Sequence, residues 1–131
     1  MPVDSSGRWY NAPVDDTPNS GVAPGTVITA NGTGAAFPIT DIANLLPTMT
    51  ISAISGAGAS VTLDLQVSPD NGATWLPLPG ITGAQTAPGT VKDVFDTTQW
   101  TQGRWAYSVA GTTPSVTFGI TTQKTLVGSA G

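Results

Sequence analysis

Eight aspartates carry almost all the acid–base chemistry this sequence could offer, with no glutamate, histidine or cysteine beside them. Asp93 and Asp96 fall near a strand end, and Asp15-Asp16 stand side by side. Paired carboxylates are what general acid–base catalysis or Ca²⁺ binding would call on. The Asp93-x-x-Asp96 spacing lacks the further oxygen ligands of a Ca²⁺ loop, and aspartate is also an ordinary turn residue. Without His, Cys or Glu, no Ser-His-Asp triad, thiol nucleophile or usual zinc site can be assembled. Serine, tyrosine and lysine remain, in no recognisable arrangement. The expectation is a chain with no catalytic residue, no cofactor and no metal.

The same composition decides which elements can form. Lys and Arg total four (Arg8, Lys92, Arg104 and Lys124), so the residues that usually cover the wet face of a helix are nearly missing. Thr, Ser, Gly, Asn and Asp take the wet positions and favour strands and turns. With 16 Gly and 11 Pro, the composition speaks against long helices and makes β structure the expectation. A net charge of −4 with scattered cations speaks against nucleic acid as a partner. No apolar run approaches a membrane span, and Met1-Pro2-Val3-Asp4 does not read as a secretory leader. At 131 residues, one domain is expected.

Period-two alternation identifies the strands. Val61, Leu63, Leu65 and Val67 alternate with Thr62, Asp64, Gln66 and Ser68, the pattern of a half-buried antiparallel strand. Trp105, Tyr107 and Val109 alternate in the same way, as do Val116, Phe118 and Ile120. Gly111-Thr112-Thr113-Pro114 reads as a hairpin link between them, and Gly56-Ala57-Gly58 as another turn. Asp41 to Leu46, stopped by Pro47, reads as a single helical turn. Pro38 assigns Ala36 to Ile39 to a sheet edge. The sum is an all-β antiparallel sandwich, immunoglobulin-like or jelly-roll-like, of about seven or eight short strands. It spans residues 25–127, behind an extended N-terminal arm (1–24) broken by Pro2, Pro13, Pro18 and Pro24, and ahead of a short tail (128–131).

Two groups stand out as binding candidates. Arg8-Trp9-Tyr10 places three frequent interface anchors on the arm, which suggests docking on a partner. Trp75, Trp100, Trp105 and Tyr107 could form a sugar-stacking platform. Shared parity with Val109 puts Trp105 and Tyr107 in the core, and leaves Trp100 as the candidate surface aromatic. The most specific local motif is Ser68-Pro69-Asp70-Asn71-Gly72-Ala73-Thr74-Trp75. It resembles the Asp-box hairpin of sialidases and related propellers, where it braces a turn. In it Asp70 accepts from turn amides, Gly72 supplies positive φ, and Trp75 lays its ring across the hairpin.

The runs Val61 to Trp75, Gly103 to Val109 and Thr112 to Phe118 together resemble small β-sandwich proteins of tailed-phage particles, over roughly residues 48–124. That resemblance implies a virion structural component on the capsid exterior, a decoration (cement) protein. Its implied partners are the major capsid protein and neighbouring copies of itself, as a homo-oligomer such as a trimer on the lattice. The rival expectation is a glycan-binding sandwich of a phage tail or baseplate.

Overall fold

The computed structural model describes residues 13–78 and 83–126, and over these the chain is almost entirely β. Its strands are β1 (Val14–Asp15), β2 (Val22–Ile28), β3 (Gly32–Thr33), β4 (Phe37–Pro38), β5 (Ile42–Ser68), β6 (Leu76–Leu78), β7 (Gly89–Lys92), β8 (Phe95–Asp96) and β9 (Gln102–Leu126). One helical turn, α1 (Thr17–Ser20), lies between β1 and β2.

Two of these strands are far longer than the expected short segments. β5 has 27 residues and β9 has 25, and they pair antiparallel from Ile42↔Leu126 to Ser68↔Gln102. The supposed hairpin at 111–114 is a bend inside β9, because Ser60 pairs with Ala110 on one side of it and Ser55 with Ser115 on the other. Gly56, Gly58 and Gly111 all have positive φ at this bend, as does Thr113. Glycine takes that backbone region without steric cost, so the ribbon turns over while its pairing continues. The turn signals were real, but they mark a fold-over and not strand ends.

The fold-over makes the sandwich. Tyr107 and Phe118 belong to one strand, yet their ring centroids are 5.2 Å apart. Residues 42–54 and 116–126 are flanked by β7 and β8 on one edge and by β1 and β2 on the other. Residues 60–68 and 102–109 are flanked by β6 and by β3 and β4. When the halves of the long strands are counted separately, this is the strand order of a jelly roll, two four-stranded layers from one folded ribbon.

Alternation places the core between the layers. Leu45, Met49, Ile51, Val116, Phe118 and Ile120 face inward from one side, and Val61, Leu65, Val67, Trp105 and Tyr107 from the other. Each such burial contributes about 1.5–3 kcal/mol. Trp105 stands at the centre, with Phe37 at 5.8 Å in its own layer and Phe95 at 5.9 Å in the other.

Two further expectations are corrected. Asp41 to Leu46 is not a helical turn, for Ile42 and Leu45 are fully buried core residues within β5. Nor does the sandwich begin only at residue 25, after an extended arm of residues 1–24. Residues 14–15 and 22–28 pair with β9, so the described part of the arm belongs to the sandwich. The remainder of the arm, with Arg8, Trp9 and Tyr10, and the tail lie outside the described residues.

The bend supplies a direct test. A Cβ at Gly111 would sit 2.7 Å from the Ala59 Cα at a φ of +114°. Gly111→Ala is therefore expected to cost about 2–4 kcal/mol, combining backbone strain with overpacking. Urea denaturation measures this, and an unchanged midpoint would mean that the bend is not fixed by this glycine.

Candidate functional site

Three places hold the side chains that the sequence singled out: the Asp-box hairpin, the clamp at α1, and the aromatic positions. In the hairpin, Asp70 accepts from the Thr74 N–H (2.8 Å) and the Thr74 hydroxyl (2.7 Å), and from the Ser68 hydroxyl (2.8 Å). The Ser68 oxygen accepts in turn from the Gly72 N–H at 2.8 Å, and Gly72 and Asn71 both have positive φ. Trp75 is half-buried and its ring carries the Arg104 guanidinium at 4.3 Å, while Arg104 also donates to Gln66 at 2.7 Å. The motif is thus closed on itself, a brace joining the turn to the outer face of the sheet. Sequence reasoning missed Thr101. It donates to the Ser68 carbonyl (hydroxyl, 3.0 Å; N–H, 2.8 Å) and accepts from the Asn71 N–H, tying the far end of the connection to the motif.

The Thr74 hydroxyl, then the Thr74 N–H and the Ser68 hydroxyl, hold the Asp70 carboxyl below its ordinary value of 3.8. A depressed folded value means stability that is complete above 3.8 and lost as pH falls through the folded value. Asp70→Ala is expected to lower the melting temperature by a few degrees at neutral pH, and the gap from wild type should close in strong acid. Melting curves across that range check it. An equal gap at every pH would show that the carboxylate charge is not what braces the turn.

The second place is a clamp below Trp105. Asp16, only 3% exposed, accepts from the Ser20 hydroxyl (2.6 Å) and the Asn19 amide (3.2 Å) and pairs with Lys124 Nζ at 3.0 Å. Ser20's single proton goes to that carboxylate, so the Thr122 hydroxyl is the donor in their 2.7 Å contact. The Trp105 indole N–H donates to the Ser20 carbonyl at 2.6 Å. Acid, hydroxyl and amine are the residue types of a nucleophilic centre, but Ser20 is 1% exposed and its hydroxyl is committed to Asp16 and Thr122. The arrangement is a latch. Its signal was present in the sequence, since Asp16-Thr17-Pro18 is a helix start with proline in the first turn.

The other candidates do not converge. Asp15 accepts from Thr17, Asp96 from Thr98, and Asp93 from the Val94 N–H. Among the described residues no three metal-ligating side chains of the His, Cys, Asp or Glu kind come together. Trp105 and Tyr107 are core, and burial pushes the Tyr107 phenol up to about 12. Trp100 is not a free surface aromatic, because it packs half-buried against that core. With Trp75 covered by Arg104, the four aromatics share no open face.

A groove of about 510 Å³ runs along the outer face of the layer that contains β2. Val22, Ala23 and Pro24 form one wall, and Thr50, Ser52 and Thr121 line it opposite. It exists because β2 slips register between Val22 and Thr26, lifting Pro24 over Gly119. A side chain at Gly119 would lie 2.8 Å from the Pro24 Cα.

The fold and these sites define an all-β jelly-roll sandwich with a latched N-terminal segment. Comparison with family models, with curated proteins and with solved structures found no match.

Proposed function

We propose that this chain is a non-enzymatic structural protein of a virus particle, a capsid decoration protein that binds the mature head lattice and stabilises it. The observation that carries this reading is the latch. Asp16, Ser20, Lys124 and Trp105 fix the chain to the sandwich just after residue 12, at the edge of a sheet. A segment bearing Arg8, Trp9 and Tyr10 then starts from a fixed point, which reduces the freedom lost when it docks on a neighbour. Support also comes from the resemblance to small sandwich proteins of tailed-phage particles, and from a fold that viral capsid domains use among others. A ligand that binds only the assembled lattice stabilises it by linkage, and many copies multiply weak contacts.

The test is re-addition to particles stripped of this protein, counting copies bound and particles surviving heat or chelator. Full-length protein is expected to bind and protect, and protein lacking residues 1–12 to bind weakly. Failure of the full-length chain to bind any particle would overturn the reading. Equal binding by the truncated chain would move attachment to the sandwich face.

A further inference from the structure

We infer that the groove beside Pro24 receives Trp9 of a second copy of this chain, with Arg8 reaching the Asp15 carboxylate at the groove's end. This deepens the reading of the N-terminal segment as an anchor and rests on it.

Three features of the groove suit that occupant. Its described lining carries no charged side chain, and its long wall is the apolar run Val22, Ala23 and Pro24, so it offers an aromatic ring contact without desolvating an ion. Its volume, about 510 Å³, leaves room for an indole. A carboxylate stands at one end: Thr17 lines the groove and donates to Asp15 from both its N–H (3.1 Å) and its hydroxyl (2.7 Å). Those bonds favour the ionised form of Asp15, whose carboxyl is held below its ordinary range. On the occupant, the cation directly precedes the ring, as Arg8-Trp9.

Chain direction selects a second copy over the same one. Val14 pairs with Lys124 and Asp15 with Gln123, so β1 read toward the N-terminus heads for Leu126. The groove lies the other way along β9, at residues 118–121. Trp9 lies four residues before Pro13, the first described residue, so it reaches at most about 14 Å from there, enough to meet a molecule packed against this edge of the sheet. Donor and acceptor are different surfaces, so the contact is head-to-tail and can close into a ring where the symmetry of a lattice allows it.

Sedimentation of the full-length protein over a concentration series tests this, using wild type, Trp9→Ala, and two groove variants at exposed positions, Thr50→Arg and Ala23→Arg. Wild type is expected to associate reversibly. Trp9→Ala should weaken association by about 30-fold or more, and each groove variant by a similar factor with melting unchanged. Mixing Trp9→Ala, which keeps its groove, with Thr50→Arg, which keeps its arm, should restore pairs but no larger species. Adding salt should weaken wild type and leave Asp15→Asn less affected. A wild type that stays monomeric throughout, groove variants that associate normally, or a mixture that fails to pair would each overturn the inference. Particle re-addition separates the two readings: loss of self-association with particle binding intact removes only the groove contact, whereas self-association without particle binding removes the capsid role.

Discussion

Lys124→Ala is expected to destabilise the protein by about 1–3 kcal/mol, less than the loss of a partner in a fully buried ion pair, because Lys124 is partly exposed and its removal lets water approach Asp16. Asp16 is 3% exposed, and its remaining donors would be one hydroxyl and one amide, both neutral. Lys124 keeps 23% of its side chain exposed and can be hydrated when its partner is lost, whereas Asp16 is enclosed. The asymmetry predicts that Asp16→Asn alone costs less than Lys124→Ala. The double variant, with no stranded charge, should recover a sizeable part of the loss. Urea denaturation of the four proteins measures the cycle. Simple additivity would mean that the two groups do not depend on each other.

Replacing Trp105 by alanine is expected to cost a further large amount, about 3–5 kcal/mol. The ring is 2% exposed and touches Phe37 in one layer and Phe95 in the other, so its loss opens a cavity where both layers meet. Trp105→Phe separates packing from hydrogen bonding. It keeps most of the ring contact but leaves the Ser20 carbonyl without its donor, at about 1–3 kcal/mol for a buried unsatisfied acceptor. Hydrogen exchange should then rise at residues 17–22 before it rises in the long strands. A uniform increase would show that the indole N–H does not hold α1 in place.

What could be read from the sequence was whatever local physics decides. Alternation from Val61 to Val67 and from Val116 to Ile120 identified strands and their inward faces, because side-chain period is a property of the strand itself. The Asp-box was legible for the same reason, as the hydrogen-bond partners of its Ser68 and Asp70 side chains all lie within seven residues. Where pairing over distance decides, local signals misled. Gly111 and Pro114 look like a hairpin until Ser55 and Ala110 are given partners across the ribbon. Asp41 to Leu46 has the cap and stop of a helix, yet Leu45 between Phe95 and Lys124 makes it a central strand. Asp16 read as half of an acidic pair in the arm, and only the return of Lys124 and Thr122 to the same spot makes it a latch.

The ladder between β5 and β9 also governs how the chain reaches this state. Its nearest pair, Ser68↔Gln102, already closes a loop that holds the whole 69–101 connection, and every later pair encloses more. No tight turn can nucleate the central ribbon, so contact order is high and folding belongs with the slow all-β class, on the order of milliseconds to seconds. During synthesis, β5 emerges with Ile51, Val61 and Leu65 on its inward face and has no long partner until residues 102–126 follow. Until then its edges are open to other chains. The sparse charges in that stretch, with Asp64 alone in 42–68, leave little to repel such pairing. Yield on expression is therefore expected to depend on how soon residues 102–126 follow β5, as well as on the stability of the finished sandwich.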